Sequence, residues 1–249
     1  MTLRMVGWVV IGLAAGLLGF LTIFLKRGRH YPIRTHQIAR LFSSSQEASI
    51  ERGLPRQIVL GHQLWSYSYP GLGLWAIGAL PVFLTPEASA DGLLSVLTAD
   101  GALAIMARQV AEQTYHDGYS PFLSQTCAQI RLPGLTPLAF TAGFLSGITR
   151  QPYGTLSLLG AYGPESLLWV DAVQRRDGMA MAAAGTLAGQ AALYAYVQNI
   201  LIGESIFMLP NLIKPGYSSQ ASLLTEDILR IILIASLIIG TMLKVLGVL

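Results

Sequence analysis

The stretch Thr155–Ala184, TLSLLGAYGPESLLWVDAVQRRDGMAMAAA, decides the fold class of this chain. It begins with a short apolar strand at 155–159 and turns through a glycine-rich tetrapeptide, GAYG, into a helix over 164–176. A second apolar strand over 179–184 follows that helix. Two strands that are apolar at nearly every position, joined by a helix, are typical of a parallel β-α-β unit buried on both faces.

The same alternation extends through most of the chain. Short apolar runs predict further strands at 57–61, 94–98 and 129–132, and periodic segments predict helices at 35–52, 72–84, 101–116, 136–149, 187–198 and 204–212. The fold class that we predict is therefore α/β, a parallel Rossmann-like sheet flanked by helices and bracketed by two transmembrane helices.

Both ends of the chain have the composition of membrane-spanning segments. Met5–Leu25 carries no charge, and Ile231–Leu249 carries only Lys244. Each run is long enough to cross a hydrocarbon core of about 30 Å as a helix. We therefore predict a transmembrane anchor at 1–25, a basic juxtamembrane segment at 26–34, an α/β domain at 35–226 and a second anchor at 227–249.

Charges beside the first anchor predict its orientation. Lys26, Arg27 and Arg29 follow the apolar run closely, and the positive-inside rule places such a cluster on the cytoplasmic side, facing lipid headgroups. The expected location is the bacterial inner membrane, with the central domain cytoplasmic and both termini extracytoplasmic. The formal net charge of +3 comes from these flanks. The central stretch is slightly acidic and has no basic stripe, which argues against nucleic acid as a partner.

A polytopic membrane protein is the competing interpretation. The segments 72–84, 135–148 and 179–202 are apolar enough to suggest further spans. The first two are too short to cross a bilayer, however, and the third is interrupted by Gly185-Thr186, Gln190, Gln198 and Asn199. We therefore favour two spans.

The loops that follow the strands hold the candidate site residues. In an open parallel sheet ligands bind beyond the carboxyl ends of the strands, where helix N-termini also lie. His62, Asp100 and Glu165 are the catalytic candidates, because a histidine with two carboxylates at the same sheet edge can support acid–base chemistry. Weak ligand-binding candidates are the small and hydroxyl residues of the same loops: Thr98, Gly134, Thr136, Gly160, Gly163, Ser166 and Thr186. Helix capping is the alternative role for most of them.

Sequence motifs for specific chemistry are missing. The chain contains neither the GxGxxG nor the GxxxxGK[ST] pattern of nucleotide-binding loops, and Cys127 is its only cysteine. The histidines do not pair at metal-ligand spacing. We therefore expect no metal and no cofactor.

Aromatic and small residues suggest contacts with other chains. Trp65, Tyr67 and Tyr69 lie in an irregular stretch after the first strand, and Gly12 and Gly16 lie four residues apart in the first anchor, where small residues permit close helix approach. These residues are the predicted interface, within a homo-oligomer or with other membrane-complex subunits. The bilayer itself is the other expected partner.

Several segments together resemble a known kind of protein. They are YPIRTHQIARLF at 31–42, IVLG at 58–61, LTADGALAIMARQ at 97–109, LPGLTPLAFTAG at 132–143 and LLGAYGPESLL at 158–168, between the two anchors. This order resembles an uncharacterised bacterial family of membrane-anchored α/β proteins with N- and C-terminal transmembrane helices. The resemblance implies the layout and no catalytic residue.

The function favoured by these features is that of a non-catalytic membrane-anchored scaffold or accessory subunit of a bacterial membrane protein assembly. The alternative is a small-ligand or nucleotide-binding enzyme or sensor that uses the strand-end cleft. A polytopic transporter component comes third.

Overall fold

A computed structural model gives the fold of this chain. It describes residues 12, 16, 18–24, 47, 49–61, 71–84, 94–118, 128–150, 153–212 and 217–245. The chain divides into two compact units, one comprising Thr35–Ile213 and the other Met1–Arg34 with Lys214–Leu249.

The unit Thr35–Ile213 is built on a six-stranded parallel sheet. Its strands, in chain order, are β1 (Arg56–Leu60), β2 (Leu94–Leu97), β3 (Ala128–Arg131), β4 (Thr155–Gly160), β5 (Met179–Ala184) and β6 (Asn199–Leu201). The order across the sheet is β3-β2-β1-β4-β5-β6. The central strands β1, β2 and β4 are buried at every position, as their uninterrupted apolar runs predict. The predicted Rossmann-like α/β fold is confirmed.

Helices cover both faces of the sheet. They are α1 (Leu72–Leu84), α2 (Gly101–Gly118), α3 (Pro137–Arg150), α4 (Ser166–Gln174), α5 (Leu187–Tyr194) and a 3-10 helix (Gly203–Leu212). One core joins α1, α2 and the 3-10 helix to the sheet, and the second core joins α3, α4 and α5 to its other face. Because every parallel strand leads into its helix at the same end, the N-termini of these helices lie at the carboxyl edge of the sheet.

The segment after β5 differs from the prediction. The predicted helix 187–198 ends at Tyr194, and Asn199–Leu201 forms a sixth strand that pairs with β5. Leu193 and Val197 are buried in the core on this face of the sheet, on either side of the helix end. The segments that suggested extra spans belong to this domain: α1, α3 and the β5-α5-β6 region.

The second unit contains α6 (Tyr217–Val245). Leu21 and Ala221 are buried together, with Leu224 and Ile228 packed against them. Farther along α6, the described large apolar side chains between Ile231 and Met242 are exposed, among them Ile231, Ile232, Leu233, Leu237 and Ile238. Within the described part of the chain we find no helix that is long and apolar enough to cross a membrane.

Candidate functional site at the carboxyl edge of the sheet

The sheet order reverses between β1 and β4, which is where open α/β sheets bind ligands. Here the two strand ends are in direct backbone contact. Gly61 N–H donates to Leu159 O at 2.9 Å. A Cβ on Gly61 would lie 2.6 Å from Ala161 N, and one on Gly160, whose φ is +120°, would lie 2.9 Å from Gly61 N. Backbone therefore closes the base of the crevice between these strands.

Tyr162 covers the switch point between β1 and β4 on the face of the sheet that α3, α4 and α5 cover. Its hydroxyl contacts the carbonyl oxygens of Val59 and Leu159, which lie on the two strands of the switch point. Its ring meets the indole of Trp169 edge-on, with centroids 5.8 Å apart. Burial raises the pKa of the Tyr162 phenol well above its usual value, so this group stays neutral and serves as a hydrogen-bond donor. Tyr162 ties β1 to β4.

Asp100 and Thr98 form the beginning of α2. One carboxylate oxygen of Asp100 accepts from Ala102 N at 2.7 Å and from Leu103 N at 3.4 Å, which is the geometry of a helix N-cap. Thr98 Oγ1 accepts from Asp100 N at 3.2 Å. Both residues therefore have a structural role in starting this helix.

Glu165, Gly163 and Ser166 make a comparable turn before α4. The Glu165 carboxylate accepts from Gly163 N at 2.9 Å, and Ser166 Oγ donates to Gly163 O at 2.8 Å. The amides of Ser166, Leu167 and Leu168 donate to carbonyls within the same turn. The amides that would cradle an anion at this helix are thus engaged by the chain itself.

The remaining strand-end candidates are also caps or close contacts. Thr136 Oγ1 accepts from Ala139 N at 3.2 Å, which confirms the predicted cap of α3. Thr186 Oγ1 accepts from Gly189 N at 3.0 Å and donates to Tyr162 O. A Cβ on Gly134 would lie 2.5 Å from Phe140 N, so this glycine allows the β3–α3 loop to pack on its helix.

The fold places the described catalytic candidates at the same edge without joining them. Asp100 follows β2 and Glu165 follows β4, and because β1 lies between those strands, their ends are about 10 Å apart. His62, Trp65, Tyr67 and Tyr69 lie outside the described residues, as do Lys26, Arg27 and Arg29. Gly12 and Gly16 are exposed on a helix, with no described atom within 4 Å of an added Cβ.

Four exposed leucines lie at the carboxyl edge, at or near the beginnings of α3, α4 and α5. Leu135 and Leu138 at the beginning of α3 are 74% and 84% exposed, Leu168 near the beginning of α4 is 53% exposed, and Leu187 at the beginning of α5 is 76% exposed. These four residues form what we call the apolar rim. Helix N-termini usually carry polar or acidic residues, so this concentration of apolar side chains is unexpected.

Comparison with known proteins supplies no relative for this chain. No protein-family model, no curated protein and no solved structure matches it. The resemblance to a membrane-anchored family therefore stays a prediction.

The amino edge of the sheet, opposite the rim, carries exposed charged residues. The last residue of α3 is Arg150, and α4 is followed by Arg175, Arg176 and Asp177, all exposed. Arg175 pairs with Asp171 at 2.7 Å, and Arg52 donates to Asp177 O at 3.1 Å. Cations at helix C-termini complement the helix dipole. The amino edge thus carries a group of exposed cations, whereas the four residues of the apolar rim are uncharged.

Among the residues that the structure describes, no group of three or more His, Cys, Asp or Glu side chains is arranged to hold a metal ion. Cys127 lies outside those residues. Sequence reasoning found the polar residues of this edge but missed the rim, because its leucines read as ordinary apolar helix positions.

Substitutions at Asp100 test its role as the N-cap of α2. Asp100→Ala removes the acceptor for two amides of α2, and we expect the free energy of unfolding to fall by about 1 kcal/mol. Asp100→Asn keeps an acceptor oxygen and should retain most of that stability. Chemical unfolding of the full chain in detergent measures both. Equal losses for the two variants would contradict a capping role.

Proposed function

We propose that this protein is a non-catalytic, membrane-anchored scaffold or accessory subunit of a bacterial membrane protein assembly. The observation that carries the proposal is the character of the carboxyl edge. Its described polar candidates are engaged in caps and turns, whereas the leucines of the apolar rim are left exposed. An edge of this kind offers little to a small polar ligand and much to an apolar protein surface.

The composition of the rim favours a protein partner over a bilayer. Leu138, Leu168 and Leu187 lie on three adjacent helices, Leu135 lies in the loop before α3, and all four are neutral. Surfaces that lie on anionic lipid usually combine apolar side chains with Lys and Arg. The basic residues of the α3 and α4 termini instead lie at the opposite edge. We therefore assign the rim to contact with another subunit of the assembly.

Bilayer attachment is supported by the second unit. On α6, seven large apolar side chains between Ile231 and Met242 are 49–66% exposed, and such a surface needs an apolar environment. The sequence from 231 to 249 has one charge, and 5–25 has none. The basic cluster at Lys26, Arg27 and Arg29 favours an inner-membrane protein with a cytoplasmic domain and extracytoplasmic termini.

Native electrophoresis of the full chain tests this function. In a mild-detergent extract of native membranes, we expect the wild-type protein to migrate as a complex several times larger than one chain. The double variant Leu135→Ser/Leu138→Ser should lose part or all of that complex. Both side chains are exposed, so the change in unfolding free energy should stay within about 0.5 kcal/mol.

Tyr194→Ser is the matched control, because Tyr194 is 68% exposed at the far end of α5 from the rim. It should leave the complex intact. A wild-type chain that migrates as a monomer and copurifies with nothing would contradict the proposal. Stabilisation of the wild-type protein by a nucleotide at saturating concentration would favour the ligand-binding alternative instead.

A further inference from the structure

Strand β3 is an edge strand whose outer side is lined by a groove. It ends the described sheet, beyond β2, and its positions alternate between half-buried and exposed. A cavity of about 830 Å³ lies between this strand and α2, with Ile105, Arg108, Glu112 and residues 128–132 in its lining. Edge strands that display unpaired backbone groups are templates for pairing with another strand.

Backbone geometry shows which residues of β3 point outward. Arg131 O accepts from Thr98 N at 3.2 Å, so the polar backbone groups of Arg131 face β2. Because backbone direction alternates along a strand, the N–H and C=O of Ile130 face away from β2, as do those of Ala128. Antiparallel pairing with a second copy of β3 can therefore place Ile130 directly opposite its own counterpart.

A two-fold axis at Ile130 makes the side chains complementary. Such an axis sets Gln129 of one chain opposite Arg131 of the other, and these two side chains already bond to each other within one chain. On the groove side it sets Ala128 opposite Leu132. The strand therefore matches itself in both polar and apolar positions.

Helix α2 shows the same self-complementarity. Arg108 and Glu112 form an exposed ion pair, Nε to Oε1 at 3.0 Å, and both line the groove. An axis level with Val110 sets Arg108 of each antiparallel copy of α2 opposite Glu112 of the other, and the dimer requires this axis to coincide with the one at Ile130. Ile105, which is 72% exposed, supplies an apolar contact beside these charges.

From this geometry we infer that two copies of this chain associate through β3 and α2, forming a continuous antiparallel junction between their sheets. The inference rests on the proposed function, because it names one contact of the assembly. The contact uses β3 and α2, whereas the apolar rim is made of Leu135, Leu138, Leu168 and Leu187.

Charge reversal tests the junction in the full chain in detergent micelles. Arg108→Glu places like charges together at two symmetric positions, and we expect self-association to weaken at least tenfold. The swapped double variant Arg108→Glu/Glu112→Arg recreates the complementary pairs and should restore association to within threefold of wild type. The side chains are 75% and 53% exposed, so the fold tolerates both changes. Energy transfer between labelled chains measures the association.

Disulfide trapping tests the register. Residues directly opposite in a hydrogen-bonded antiparallel pair have Cα atoms about 5.5 Å apart, within disulfide range. In a Cys127→Ser background, Ile130→Cys should give a covalent dimer on mild oxidation. Ala102→Cys, exposed at the beginning of α2 and outside the groove, should not.

The outcomes separate this inference from the proposed function. If Arg108→Glu leaves self-association unchanged and Ile130→Cys gives no covalent dimer, the proposed junction is wrong. The scaffold proposal would still stand in that case, provided that the wild-type chain migrates as a complex. Failure of the swapped variant to restore association, or trapping of Ile130→Cys on a different protein, also overturns it. A wild-type chain with neither self-association nor partners overturns both proposals.

Discussion

Replacing Trp169 with alanine is expected to lower the free energy of unfolding by about 3–5 kcal/mol. The indole is fully buried on the α3–α5 face of the sheet, with ring centroids 5.1 Å from Phe140 and 5.6 Å from Phe144. Its Nε1 donates to Thr141 Oγ1 at 3.1 Å. Alanine therefore leaves a cavity among aromatic rings and removes a buried donor, which are separate costs.

Chemical unfolding of the full chain in detergent measures the effect of Trp169→Ala. Trp169→Phe keeps most of the apolar contact and should be less destabilised than the alanine variant. Leu187→Ala removes a side chain that is 76% exposed and should change the unfolding free energy by no more than about 0.5 kcal/mol. A loss below about 1 kcal/mol for Trp169→Ala would contradict the packing of this core.

Gly160→Ala is expected to destabilise the fold by about 2–6 kcal/mol, combining backbone strain and overpacking. The φ of Gly160 is +120°, a region that residues with a Cβ rarely adopt. The added carbon would also lie 2.9 Å from Gly61 N and 3.2 Å from Gly61 Cα. Relief requires β1 and β4 to separate at the point where Tyr162 joins them.

Gly78→Ala is the matched control for Gly160→Ala. Gly78 is an exposed position within α1, and no described atom lies within 4 Å of an added Cβ. Alanine there should stabilise the protein by about 0.5–1 kcal/mol, because glycine is a poor helix former. Thermal unfolding compares the two substitutions directly. Equal effects from both would show that the switch point is not closed by backbone contact.

Most of the sheet was predictable because its strands are uninterrupted apolar runs. A strand that is apolar on both faces is buried on both sides only when helices cover each face of its sheet. The runs at Ile58-Val59-Leu60 and 156–159 have this composition. β6 escaped prediction because it is only three residues long, lies at the sheet edge and follows a helical pattern that continues past Tyr194. Its strand conformation depends on pairing with β5, which lies about 18 residues earlier in the chain.

The polar residues of the carboxyl edge were predictable, and their partners only in part. Thr136 before Pro137 indicates a cap from the sequence alone, since capping is a local interaction. The contact from Tyr162 to Val59 joins residues 103 positions apart, which no local pattern encodes. Exposure of Leu138 was equally hidden, because an apolar residue in an apolar helix predicts burial until its neighbours are known.

These features give the carboxyl edge a coherent physical description. Backbone contact and Tyr162 close the switch point, and helix caps engage the described polar candidates. The exposed leucines that remain favour attachment to another protein over binding of a small polar ligand. The amino edge differs in carrying exposed arginines beside its exposed side chains of Met179, Tyr194 and Tyr196.

Site-specific photocrosslinking in living cells tests the role of the apolar rim most directly. A benzophenone amino acid replaces Leu138 in the full-length chain, and the same substitution at Tyr194 is the control. After irradiation, we expect a discrete higher-mass adduct from position 138, which mass spectrometry identifies as a membrane-assembly subunit, and little or none from position 194. No adduct at position 138, or equal and diffuse labelling at both positions, would contradict an assembly surface at this edge.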